Sequence, residues 1–253
     1  MIRILKDRVK LFTDLLKGFN ISDVFDIEEL YDEQFHALRA LFDKRDNGRY
    51  FCVLVLLNGL VSYKLSGTGE DYWWEFSNYF VANGFSGNPV EDIISFLGVS
   101  RYNKRFLNTK ISRVKKFSRV YGRILTNIEY YSENFLELRR LISRALGARE
   151  DSKTVVFSIK MFNYAVRIAY GKKVSLPMEI AIPLDFRILK ISKWLGLKER
   201  DSLNFWFDLS RTIGIPPPHV DSILWIAVNL AKKNIRTKYE NFNKVISLMK
   251  NFF

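Results

Sequence analysis

At 253 residues the chain is long enough for one large domain or two small ones sharing a core, and 48% hydrophobic with 26% charged residues excludes a disordered profile. Forty Lys+Arg against 27 Asp+Glu give a formal net charge of +13, spread along the chain, which favours an anionic partner, nucleic acid ahead of an anionic membrane surface. A single cysteine, Cys52, excludes an internal disulfide and Cys-rich zinc or iron-sulfur sites, and only two histidines accompany it, so no metal is expected. The opening "MIRILKDRVK" has no long apolar h-region, and no later run of about 18 apolar residues occurs. A cytoplasmic protein that neither spans a membrane nor carries a standard export signal is expected.

Helical periodicity dominates. Residues 26–45, "DIEELYDEQFHALRALFDKR", run from acidic to basic as a helix dipole prefers and are predicted as one helix. "YFCVLVLLNGLVSYKL" (50–65) could be a strand, but a buried helix suits an otherwise helical chain. Helices are predicted for 70–84, stopped by Gly84, for 89–100, opened by Pro89, for the basic amphipathic stretch 103–125, and for 131–147, closed at Gly147. After the short turn "AREDS" a helix is predicted from about Ser152 to Tyr170. "KKVSLPMEIAIPLD" (172–185) reads as an extended crossing, and Asp185 stands where the N-cap of "FRILKISKWLGL" belongs. A proline-led helix over 213–234 and a last one over 239–253 complete the prediction. The sequence carries no internal repeat or low-complexity tract.

The helix "SKTVVFSIKMFNYA" poses a problem. Val156, Ile159, Phe162 and Val166 make one apolar side, while Lys153, Phe157, Lys160 and Tyr164 lie within roughly 60° of one another on another side. That second face is either a solvated surface with partly covered rings or one wall of a site. An amine in the first turn, with a ring one turn later, could be a nucleophile if its charged form is disfavoured by apolar surroundings or by the positive end of the helix. Such a nucleophile needs a carboxylate, and Asp185 is available unless it serves only as an N-cap.

Three strings taken in order resemble one family. A lysine opening the helix after a short turn, "DSKTVVFSIKMFNYA", followed by "PMEIAIPLDFR" and "PPPHVDSILW", is similar to the helix-hairpin-helix superfamily of base-excision DNA glycosylases and, more closely, to the archaeal 8-oxoguanine DNA glycosylase family, AGOG. The resemblance implies an all-α fold, two helical subdomains flanking an active-site cleft in a single domain over 1–253, with the helix-hairpin-helix at about 133–170. It implies that Lys153 attacks C1′ of the damaged nucleotide, assisted by Asp185. Phe157 and Trp225 would sandwich the flipped base, Lys160, Asp221 and Gln34 would contact it, and Trp73 or Trp74 would supply a further aromatic. Two departures stand out: the hairpin is "GAREDS" in place of a G-x-G loop, and the cysteine quartet of the iron-sulfur members is absent.

The implied activity is excision of 8-oxoguanine from DNA through a lysine Schiff base, followed by β-elimination, by a monomer without cofactor. Base extrusion would cost a few kcal/mol, recovered by stacking and edge contacts. The basic stretch "NTKISRVKKFSRVYGR" would hold phosphates. Two other readings remain: a monofunctional glycosylase activating water with Asp185, and a non-catalytic helical DNA-binding protein.

Overall fold

Helix ends are where local chemistry shows most directly. The computed structural model describes residues 2–252, with side chains from Lys6 onward, and among them every regular element is helical. The chain begins with α1 (Ile2–Leu16) and α2 (Ile21–Tyr31), the latter opened by a capping box in which Asn20 and Asp23 each accept the other's backbone N–H. Then follow α3 (Glu33–Phe42), α4 (Gly48–Val61), α5 (Gly69–Asn83), α6 (Pro89–Val99), α7 (Leu107–Phe117), the short α8 (Tyr121–Thr126) and α9 (Ile128–Tyr131), and α10 (Phe135–Leu146). The 18-residue α11 (Lys153–Tyr170) precedes the crossing at 172–185, after which come α12 (Phe186–Trp194), α13 (Glu199–Ile213), α14 (Pro217–Lys232) and α15 (Glu240–Lys250). Phe253, included in the predicted last helix, lies outside the described residues.

The predicted stops and starts at Gly84, Pro89, Gly147 and Asp185 stand where expected. Gly84 and Gly147 take positive φ values of 76° and 62°, the conformation in which glycine ends a helix without a Cβ penalty. Two predicted helices are broken. Residues 26–45 divide at Asp32, which is extended (φ −87°, ψ 111°) at the point where the chain leaves one compact unit for the next. Residues 103–125 divide after Phe117, where the Ser118, Arg119 and Val120 N–H groups donate to carbonyls three residues back, at 3.2, 3.5 and 2.9 Å, in place of the α-helical ladder. α1 and α13 were not predicted; α13 nonetheless carries the usual signals, acidic residues in its first turn and Gly214 at positive φ after its last.

One compact unit holds the residues up to Asp32 and from Ser175 onward, the other Glu33–Val174. In the first, Phe12, Leu16, Trp206, Ile223, Leu224, Val245 and Met249 share an apolar core. There the buried His219 ties three segments: its Nε2 accepts from the Leu176 backbone N–H at 3.2 Å, its Nδ1 lies 3.0 Å from Glu28 Oε1, and Phe25 meets its ring edge-on.

In the second unit α4 is buried along its whole length from Tyr50 to Val61, which is why its sequence lacks an amphipathic stripe and could also be read as a strand. It packs along α11 so tightly that a Cβ added at Gly59 would stand 2.8 Å from Ser158 Cα, closer than side chains tolerate. This seam fixes α11 in place, and α10 packs beside it.

Candidate active site

The second unit carries Gln34, Trp73, Lys153, Phe157 and Lys160. Lys153 is the first residue of α11 and is exposed. The preceding hairpin is closed by local pairing: the Ala148 N–H donates to the Ser143 carbonyl at 3.0 Å and the Ser152 N–H to the Arg149 carbonyl at 3.1 Å. Arg149 grips Asp151 with two nitrogens, at 3.0 and 2.6 Å, and this hydrogen bonding holds the Asp151 carboxyl below its ordinary pKa. Ser152 makes no side-chain cap, so the helix presents its first turn uncovered at Lys153. The apolar surroundings expected of an activated amine are therefore not supplied at Lys153 by its own unit. A residue at a helix's first position, beyond the α4–α11 seam, has few neighbours to cover it.

One turn on, Phe157 is half-buried, and Trp73 meets it edge-on with ring centroids 6.3 Å apart. Trp73 is fully buried, whereas the Trp74 indole donates to Glu33 Oε2 at 3.1 Å. Of the doubled tryptophan it is thus Trp73 that packs on the ring of the site helix. Lys160 and Tyr164 are buried, with the Lys160 ammonium 5.8 Å from the Tyr164 ring centroid, and Gln34 is buried as well. The stripe on α11 is accordingly not a solvated face: Lys153 at its end is exposed, Phe157 is half-buried, and Lys160 and Tyr164 are buried.

The basic stretch is mixed in character. Lys115, Lys116, Arg119 and Arg123 are exposed, but Arg113 donates to Thr154 Oγ1 at 2.6 Å and Lys110 is wholly buried. The Lys110 amine donates to Asn103 Oδ1, Asn103 donates to the Tyr72 hydroxyl, and Tyr72 donates to Asn58. Burial away from carboxylates lowers the Lys110 pKa to about 8. Lys110 and Arg113 are thus engaged inside the unit, unlike the exposed cations around them.

The first unit carries Asp185, Asp221 and Trp225. Asp185 does cap α12, its Oδ1 accepting the Ile188 N–H at 2.9 Å, but its other oxygen pairs with Arg187 Nη2 at 2.9 Å. The same Arg187 nitrogen donates to Asp221 Oδ1 at 2.8 Å, and its guanidinium lies 4.5 Å from the Trp225 ring centroid. Asp221 and Trp225 sit one turn apart on α14, which is opened by prolines at its first positions. The three predicted residues therefore do converge, around an arginine that sequence reasoning did not single out. Its only sequence signal was its position two residues after Asp185. Removing one partner of such a buried charged cluster typically costs about 3–5 kcal/mol.

Among the described residues no group of three or more His, Cys, Asp or Glu side chains could hold a metal ion, and no helix is long and apolar enough to cross a membrane. The candidate residues are an open amine, a half-buried ring and buried donors in one unit, and two carboxylates, an arginine and a ring in the other. Residues 13–252 match the AGOG family, described as N-glycosylase/DNA lyase. The chain belongs to that family. Over 212 residues it is 43% identical to the N-glycosylase/DNA lyase of Thermococcus kodakarensis, covering 83% of this chain and 80% of that one. The corresponding protein of Methanococcus maripaludis is 34% identical over 247 residues, 96% of this chain and 97% of that one. Among solved structures, the 8-oxoguanosine complex of the AGOG 8-oxoguanine DNA glycosylase from Pyrobaculum aerophilum matches with a TM-score of 0.80 and 25% identity, over 97% of this chain and 96% of that one. Membership in AGOG sets aside the non-catalytic reading, and the all-helical architecture expected from the resemblance is the one observed.

Proposed function

We propose that the chain as a whole excises 8-oxoguanine from DNA and then cleaves the strand, with Lys153 as nucleophile. The observation that carries this reading is the register of α11: an exposed lysine at its first position, a half-buried phenylalanine one turn on, and a buried lysine beyond, in a chain of the N-glycosylase/DNA lyase family. The likeness to a glycosylase solved with 8-oxoguanosine supports the choice of lesion.

In this reading the lesion leaves the base stack, because C1′ cannot be reached inside a duplex. Phe157, buttressed by Trp73, and Trp225 stack on the base, while Gln34, Lys160 and Asp221 bind its edge. Donors and acceptors matched to the oxidised purine would be left unpaired by guanine, which is the source of selectivity. The Lys153 amine forms a bond to C1′ as the bond from C1′ to the base breaks, and the departing base takes up a proton. Asp185 stabilises the positive charge that develops on the sugar. The nitrogen's remaining proton passes to the ring oxygen as the C1′–oxygen bond breaks, which opens the sugar and leaves an imine that acidifies C2′; removal of a C2′ proton then expels the 3′ phosphate. Because Lys153 is solvated, it is the bound DNA that covers the amine and excludes water from it. The exposed Lys115, Lys116, Arg119 and Arg123 hold phosphates, and the enzyme acts as a monomer without cofactor.

The test is borohydride trapping on a duplex containing 8-oxoguanine. Wild type should yield a covalent protein–DNA product and Lys153→Gln none. Full trapping by the variant would overturn the assignment of Lys153, and lesion release without any trapping by wild type would point to water as the nucleophile.

A further inference from the structure

Arg187 is 93% buried by its 7% relative exposure, yet two of its three guanidinium nitrogens, Nε and Nη1, have no hydrogen-bond partner among the described residues. The third, Nη2, serves both Asp185 and Asp221. The guanidinium also lies over the Trp225 ring, at 4.5 Å from its centroid. The Trp225 indole N–H is likewise buried without a partner among the described residues. A buried donor without an acceptor is costly, so a site with three of them is incomplete as it stands.

A guanidinium is planar, carries N–H donors along its edge and stacks on aromatic faces. Those are the properties that the Watson–Crick edge and ring plane of a guanine-type base offer: N–H donors for a carboxylate and a π-face for a ring. We infer that in the ligand-free protein Arg187 occupies the place of the base on Trp225 and Asp221, and that base entry displaces it. The inference rests on the reading in which Asp221 and Trp225 receive the base. Arg187 is then a latch: it sits on the buried Asp221 carboxylate and keeps the ring face closed. A base that offers both a stacking plane and donors for Asp221 replaces the contacts of Arg187 to the ring and to Asp221, and an unmatched one replaces only the first. After displacement the guanidinium stays within reach of Asp185, and its unpartnered nitrogens are free to donate to an acceptor on the incoming nucleotide. A residue that only positioned the acids would, when removed, weaken binding; a latch, when removed, strengthens it.

The experiment is nucleoside binding to the full chain, with 8-oxoguanosine as probe and tryptophan fluorescence or calorimetry as readout. Arg187→Met removes the planar cation while keeping apolar bulk, and affinity should rise roughly threefold to thirtyfold, the range expected for a desolvated cation–π contact no longer competing. Arg187→Lys keeps a charge between the acids but no plane, and should give a smaller rise. Trp225→Ala is measured beside them. If it binds as wild type does, the base does not stack there and the underlying reading falls, taking the latch with it. If Trp225→Ala loses binding while Arg187→Met and Arg187→Lys, both folded, bind no better than wild type, the latch alone is overturned. Should neither arginine variant fold, the Nε–H resonance of Arg187 in the wild-type protein decides: it should shift on saturation with 8-oxoguanosine, and an unmoved resonance overturns the proposal.

Discussion

The open end of α11 and the interior of the unit that contains it hold lysines in opposite states. Lys153, at the hairpin, is exposed, whereas Lys160 two turns further and Lys110 on α7 are buried. Lys160 lies against an aromatic face, and Lys110 against a chain of neutral amides and a phenol. The buried amines are placed by the packed core and have little freedom left to lose when a ligand arrives. The exposed one is hydrated, and in the proposed reaction it stays so until a substrate covers it. A recognition group benefits from being fixed in advance, and a nucleophile from losing water only in the complex.

The largest effect that could break this contrast is at Lys153: Lys153→Gln should abolish covalent trapping while leaving thermal stability nearly unchanged, since surface substitutions usually shift it within about 0.5 kcal/mol. A marked loss of stability would show that the amine is structural after all. Next comes Lys110. Its pKa falls from 10.5 to about 8 in the folded chain, worth at most about 3 kcal/mol. Between those pH values the unfolded chain holds a proton that the folded chain has lost, so stability rises with pH through that window. Denaturant midpoints should show this rise in wild type relative to Lys110→Met, and parallel curves for the two proteins would refute the buried, deprotonating amine. Lys160→Met should reduce the preference for 8-oxoguanine over guanine by about tenfold to a hundredfold, the worth of a hydrogen bond to a charged group, while trapping by Lys153 persists. Equal loss of release and trapping would erase the division of labour between the two lysines. The smallest effect belongs to the exposed cations. Lys115→Ala or Lys116→Ala should weaken binding to lesion and undamaged duplexes alike and lower the salt slope by about one for each lost phosphate contact.

Much of the fold was legible because helix boundaries are set by short-range chemistry. Gly84, Pro89, Gly147 and Asp185 act through their own backbone angles and one or two hydrogen bonds, so their positions could be read from neighbours alone. Asp32 and Ser118 broke helices that periodicity had predicted as continuous. In the first the chain passes between compact units, and in the second three successive backbone N–H groups turn to carbonyls three residues back, neither of which a hydrophobic repeat records. Within the candidate site, Lys153, Phe157 and Lys160 were legible as a stripe, and the three motifs together pointed to Asp185, Asp221 and Trp225. Arg187 was not, since its partner Asp221 is 34 residues away and its place two residues after Asp185 in "LDFRI" does not by itself show that it is buried.

By itself the sequence determined the helical class, most helix limits and the order of the motifs, because each depends on residues a few positions apart. The tertiary structure decided which charges meet water. Whether a lysine is a solvated cation or a buried donor, and whether an arginine is a surface charge or a clamp on two acids and a ring, depends on segments brought together by packing, and burial is a property of that packing rather than of the residue.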